Sequence, residues 1–253
     1  MTYIGTNDYF SLVAKGLIPG ESLIHKFGRN DALPNGSFAF VTMLQQTAHV
    51  LSAATTVRVK AGNAADTAAG NGAREITIQG IDSTFAEIQE PVATAGESAS
   101  SSTSASFWRV HRAWNSQVGV YGSSNTAAVV IENTAGNADI LTIAAGQGQS
   151  QDAVWTVPDG YTAHLLSVDI TVDATLSADV ALYTRDDIDD TSAPMPGKRL
   201  RKYWDGIAGV VPTYKPRAPW SARPGKSDIW VEAQGVGANV EISVDFELHL
   251  VAD

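Results

Sequence analysis

The chain has 253 residues, of which 17% are charged and none is cysteine, and its formal net charge is −10. The lack of cysteine excludes disulfides, thiolate metal sites and cysteine nucleophiles together, and the acidic balance argues against general nucleic-acid binding, which gains affinity by neutralising phosphates. The length accommodates one large all-β domain or two small ones, and the abundance of Ala, Gly, Ser and Thr suits extracellular or virion β-proteins better than a metabolic enzyme.

In chain order, Asn7 can cap a short helix over Asp8 to Lys15 that Gly16 stops. No basic start followed by an apolar stretch precedes it, and no run reaches the roughly 18 apolar residues of a membrane span. The expected product is soluble, made in a cytoplasm and without a membrane partner. Residues 17–36 contain Pro19, Gly20, Gly28, Pro34 and Gly36 and no sustained period, which reads as an extended arm laid over a neighbour or over the protein's own surface. Residues 38–56 fit a helix or two irregular strands, with strands favoured. From Thr55 the strand signals become regular: Val57 and Val59, then Ile76 and Ile78, the turn Gly80 to Thr84, and Phe85, Ile88 and Val92. Gly96 to Ser106 is a low-complexity polar tract, expected to be a mobile and protease-sensitive loop.

Phe107, Val110 and Trp114 resume a strand, and short apolar runs follow at 127–131 and 139–144. Val154, Trp155 and Val157 lead into the turn Pro158-Asp159-Gly160. Leu166, Val168, Ile170 and Val172 then alternate with polar residues, as do Val180 and Leu182. The strongest signal is at the end, where Val240, Ile242, Val244, Phe246, Leu248 and Leu250 occupy every second position, the period of a half-buried strand. With Ile229 and Val231 upstream, 228–251 reads as an antiparallel hairpin. The fold expected is an all-β antiparallel sandwich, jelly-roll-like, with an extended N-terminal arm. The arm, short helix and irregular strands take 1–54 and the sandwich 55–253, with a division into two sub-domains near 146–152 left open.

Catalytic chemistry finds little support. His25, His49, His111, His164 and His249 lie far apart, without the close spacing of metal ligands, and His249 fits a solvent-facing slot of the last strand. Asp186, Asp187, Asp189 and Asp190 read either as a calcium-gathering turn or as acids that neutralise the basic segment beginning shortly after them. Gly70-Asn71-Gly72 and Gly146-Gln147-Gly148 are turns rather than phosphate loops, because neither opens a helix. There is no Gly-x-Ser-x-Gly elbow and no credible acid pair, so no catalytic residue, metal or cofactor is assigned. The candidate binding surface is 197–226. It holds Lys198, Arg199, Arg201, Lys202, Lys215, Arg217, Arg223 and Lys226 against the single acid Asp205, interleaved with Tyr203, Trp204, Tyr214 and Trp220. Aromatic residues with arginine make up interface hot spots, although the same rings also suit a core beneath a solvated charged face.

Several stretches resemble a family of structural proteins from the virions of tailed bacteriophages, especially phages of marine bacteria and cyanobacteria. They are Ile24-His25-Lys26-Phe27-Gly28-Arg29-Asn30, Ala65 to Arg74 leading to Ile78-Gln79-Gly80-Ile81-Asp82, Phe107-Trp108-Arg109-Val110-His111-Arg112, Trp155 to Gly160, and Lys226-Ser227-Asp228-Ile229. The resemblance implies a β-sandwich virion component that decorates or cements the head and supplies no catalytic residues. The reading is a non-enzymatic protein, a trimer on a local threefold axis of the virion, with the major capsid protein or neighbouring virion subunits as partner and, from charge and hydropathy, no nucleic-acid or membrane partner. Arg199, Arg201, Tyr203, Trp204, Arg217 and Trp220 would form the grip, with Lys26 and Arg29 of the arm as a further element. The alternative is a tail, neck or carbohydrate-binding receptor component, and a polysaccharide-degrading enzyme ranks third.

Overall fold

The computed structural model describes residues 9–44, 51–216, 222–237 and 239–253. It is all-β apart from one short helix, α1 (Tyr9–Ala14). The expected cap residues Asn7 and Asp8 lie outside the described residues.

The final alternating stretch is β15 (Val240–Ala252), whose six apolar residues from Val240 to Leu250 are each at most 2% exposed. It lies between β1 (Glu21–Leu33) and β10 (Tyr161–Val172), antiparallel to both, and β13 (Ala222–Arg223) completes this four-stranded sheet beyond β10. A second sheet has the order β12 (Arg199–Ile207), β11 (Ser177–Arg185), β14 (Asp228–Val236), β2 (Ala39–Phe40), and β9 (Val154–Thr156) also pairs with β14. The inward faces, among them Phe246, Val168, Leu182 and Val231, form one core between the two sheets.

β2 and β9 are two halves of one strand. Ala39 and Phe40 face Ala233 and Glu232 on β14, while Val154 to Thr156 face Trp230 to Asp228. At the break Val41 donates to the Val231 carbonyl (3.1 Å), Val231 donates to Ala153 (3.2 Å) and Ala153 donates back to Val41 (3.0 Å). Counting this split strand once, the sheets have the orders 1-8-3-6 and 5-4-7-2, and every connection except the β11–β12 hairpin crosses between sheets. That is jelly-roll connectivity.

Residues 42–152 are therefore spliced into the middle of a strand, and they build a second sandwich. β3 (Val57–Ala61), β7 (Val129–Asn133) and β8 (Asp139–Ile143) face β5 (Glu87–Ala93), β4 (Ala73–Ile81) and β6 (Arg109–Val118) across a separate core that includes Val59, Ile78, Phe107 and Leu141. Asp66 pins its loops. The side chain is fully buried and accepts backbone hydrogen bonds from Ala73 (2.8 Å), Thr126 (2.9 Å) and Ala127 (3.1 Å). The Gly70-Asn71-Gly72 turn serves this cradle, since a Cβ on Gly72 would sit 2.0 Å from Asp66 Oδ1. Asp66→Ala leaves three donors without their acceptor, and a loss of at least ~3 kcal/mol is expected in chemical denaturation. Asp66→Asn recovers part of it, because its amide oxygen still accepts from Ala73 and Thr126 while its NH2 faces the Ala127 donor.

Two expectations are corrected. Residues 21–33 are not an arm over the surface but a strand of the jelly roll, paired with β15 from Glu21 to Leu33. Its buried positions carry Lys26, Gly28 and Asn30 before Leu33, so hydrophobic alternation could not reveal it. The Ser-rich tract is not a loose loop either. It lies along the free edge of β3, where Ser100 and Thr103 donate through their amides to Val59 and Val57 (both 2.8 Å) and accept at their hydroxyls from the same residues (2.9 and 3.0 Å). Hydroxyl side chains here do the work of a neighbouring strand. Of residues 38–56, 39–40 form the short β2, and 45–50 lie outside the described residues.

Candidate functional site: a basic and aromatic sheet edge

The basic segment enters as β12, an edge strand of the second sheet that pairs, among the described residues, only with β11. Local alternation decides which side chains reach solvent. Trp204 stands opposite Val180, belongs to the jelly-roll core and meets Tyr214 edge-on at 5.6 Å, with Lys202 over both rings at 5.6 Å. It is thus core, not an exposed anchor. Tyr203 points the other way, is 40% exposed and neighbours Phe38 at 6.2 Å. Arg199 is exposed, whereas Arg201 is half-buried and donates to the Thr184 hydroxyl at 2.7 Å. Arg217 and Trp220 lie outside the described residues.

Most of the positive charge is answered locally. Asp186 faces Arg223 (3.4 Å) and Arg199 (3.9 Å), Asp189 pairs with Lys226 (3.0 Å), and Lys198 bonds both oxygens of Glu232 (3.0 and 2.9 Å). Of the two readings of the acidic tract, the pairing favours neutralisation of the basic segment. Among the described residues no group of three or more His, Asp or Glu gathers around a common point.

The two arm candidates lie elsewhere. Arg29 pairs with Glu241 (3.0 Å) on the β1 edge of the first sheet. That edge adjoins β2, as the Asn30 amide to Phe40 carbonyl bond shows (3.2 Å), while β12 is at the far end of the second sheet. Arg29 and Arg199 therefore stand on opposite edges of the jelly roll. Lys26 is no surface cation at all. It is 2% exposed and donates to the His111 carbonyl on β6.

Lys26 thus belongs to the joint between the two sandwiches, which sequence reasoning missed. Arg109 of β6 reaches Asp228 of β14 at 3.0 Å, both side chains nearly inaccessible, and Asp228 also accepts from the Thr156 hydroxyl at 2.6 Å. The His111 ring lies 4.0 Å from that of Trp155, and its Nε2 accepts from the Thr156 amide at 3.2 Å. Ile81, Phe85 and Ile188 close the joint with an apolar cluster. The one signal in the sequence is the run Arg109-Val110-His111-Arg112, whose polar residues at strand spacing had no stated partner.

His249 is corrected as well. It is 9% exposed, its Nε2 lies 2.6 Å from Glu21, and Phe10 of α1 meets its ring at 5.5 Å. Tyr9 donates to the same carboxylate. α1 is thereby fastened to the outer face of the first sheet.

The joint sets a pH dependence. Desolvation pushes the Lys26 ammonium down to about 8, opposed by Asp152 and reinforced by Arg112. The unfolded chain keeps its lysine charged up to the ordinary value near 10.5. Between these limits the unfolded state binds more protons, so stability rises with pH, by roughly 3 kcal/mol over the window. Burial, then the cations Lys26, Arg109 and Arg112, hold His111 well below the ordinary histidine value. Acidification through that range protonates the unfolded state first, so stability falls as pH drops. Denaturant midpoints measured across pH should show both slopes, and Lys26→Met should remove the alkaline rise.

No protein-family model matches the chain, and no curated protein matches it. No helix among the described residues is long and apolar enough to cross a membrane.

Proposed function

We propose that this chain is a non-enzymatic virion structural protein of a tailed phage, a decoration or cement subunit bound to the outer surface of the head. The observation that carries this reading is the jelly-roll strand order, a connectivity used by capsid proteins, here with a second sandwich spliced into one strand. The step from fold to function is an analogy, and the resemblance of several stretches to tailed-phage virion proteins is a second line of support. Several of those stretches fall on the joint: Lys26, Arg109, His111 and Asp228 all belong to them. On this reading they hold the two sandwiches at a fixed angle, as a lattice subunit requires.

The partner is the major capsid protein, or neighbouring virion subunits. A homotrimer on a local threefold axis would engage three equivalent sites, so modest single affinities multiply through effective concentration. The β12 edge, with Arg199 and Tyr203 at the surface and no second strand beside it among the described residues, is the docking edge. The charges set encounter rate and register. The test mixes purified protein with heads that lack it and follows co-sedimentation. Arg199→Glu with Tyr203→Ala is expected to slow association and flatten its salt dependence, while stability changes by less than about 0.5 kcal/mol, as at ordinary surface positions. Binding by tails and not by heads would sink the reading.

A further inference from the structure

We propose that the outer face of the second sheet carries a binding site for an acidic monosaccharide, a pyranose that bears a carboxylate. The proposal does not rest on head decoration. On β14 the residues Ile229, Val231 and Ala233 point into the core, so Trp230 and Glu232 point out. Trp230 joins Phe40 of β2 and Tyr183 of β11 in a second apolar cluster, with near-parallel rings at centroid distances of 6.2 and 5.7 Å. Phe40 and Trp230 line a cavity of about 310 Å³, bounded on one side by Met195 and Pro196. This face lies outside the jelly-roll core and meets the joint only through Asp228, yet it holds three rings.

The polar groups around the rings narrow the ligand class. Glu232 is matched by Lys198 and by the Trp230 indole N–H (2.8 Å), and Asp228 by Arg109. Arg185 also lines the cavity, and it makes no hydrogen bond or ion pair with the described residues. Its Nε is inaccessible and has no partner, while Asp228, opposite it in the sheet register, is turned to Arg109. The cavity is thus lined by a guanidinium whose Nε is buried without an acceptor, and a buried donor without an acceptor is costly. An anion satisfies it, best a carboxylate that takes two parallel N–H bonds. A flat ring floor calls for a ligand with an apolar face. Groups of both kinds, the cation Lys198 and the acid Glu232, suit hydroxyls, which donate and accept at once. A sugar acid combines all three properties.

The test titrates the full chain with sodium glucuronate, glucose and sodium acetate, by calorimetry and by the indole N–H resonance of Trp230, assigned with Trp230→Phe. Glucuronate is expected to bind and to shift that resonance, with glucose and acetate each about tenfold weaker or worse. Arg185→Gln should lose about tenfold for glucuronate while keeping the wild-type melting temperature, and Arg185→Lys should restore part of it. Equal binding of acetate would show that the ring platform contributes nothing, and equal binding of glucose that Arg185 does not read the carboxylate. Wild-type affinity in Arg185→Gln, or no binding of glucuronate at millimolar concentration, would overturn the proposal. Failure of all of these would leave the co-sedimentation with heads unaffected.

Discussion

A chain cut before Val240 is expected to yield no soluble, cooperatively melting protein. The cut removes Val240, Ile242, Val244, Phe246, Leu248 and Leu250, all essentially inaccessible. Each apolar side chain of this kind contributes roughly 1.5–3 kcal/mol when fully buried, and six of them exceed most of the range of about 5–15 kcal/mol in which domains are stable. The loss is also topological. Among the described residues β15 is the only strand paired with β1 and the principal partner of β10, so its removal leaves two long strands with unpaired backbone groups. Expression of the truncated chain followed by calorimetry decides the matter, and a single sharp transition would show that the first sheet tolerates the loss.

Arg109→Ala should be the most damaging single substitution at the joint, with a loss of about 3–5 kcal/mol, because it leaves Asp228 charged and buried without its partner. The test is a double-mutant cycle by urea denaturation. Arg109→Met combined with Asp228→Asn removes both charges but retains an acceptor for the Thr156 hydroxyl, and is expected to recover most of the loss. If the double variant is as unstable as the sum of the single ones, the pair is not coupled. Because Arg109 sits on the inserted sandwich and Asp228 on the jelly roll, the single variant should also separate unfolding into two transitions.

Period-two alternation was enough to place β10, β11, β14 and β15, because each turns a mainly apolar face to a continuous core, although a bulge between Leu165 and Ser167 puts Leu165 in the core of β10 where the alternation named Leu166. The same rule failed for β1, whose covered face is Lys26, Gly28 and Asn30. Those residues are there for partners remote in sequence: Lys26 for the His111 carbonyl, Asn30 for the Phe40 carbonyl, and Gly28 for the splice itself, where a Cβ would meet the Val41 oxygen at 2.4 Å and the Ala153 nitrogen at 2.3 Å. Nothing local distinguishes such residues from those of a loop. The Ser-rich tract misled for a related reason, since hydroxyls that cannot build a core can still satisfy the backbone of a free strand edge.

The candidate site shows the same division. Composition marked 197–226 as basic and aromatic, and the sequence alone placed acids close enough upstream to neutralise it. Which ring went inward depended on the register of β12 against β11, and it was Trp204 rather than Tyr203. By itself, then, the sequence determined the all-β class, the absence of thiol chemistry and the strands with unbroken alternation, because these depend on covalent composition and on a period of two. Tertiary structure alone decided that one strand is split to admit a second sandwich, that Lys26 is interior, and that Arg185 is left without a partner above a floor of rings. Each of these depends on which distant backbone lies within hydrogen-bonding reach, and chain order carries no measure of that distance.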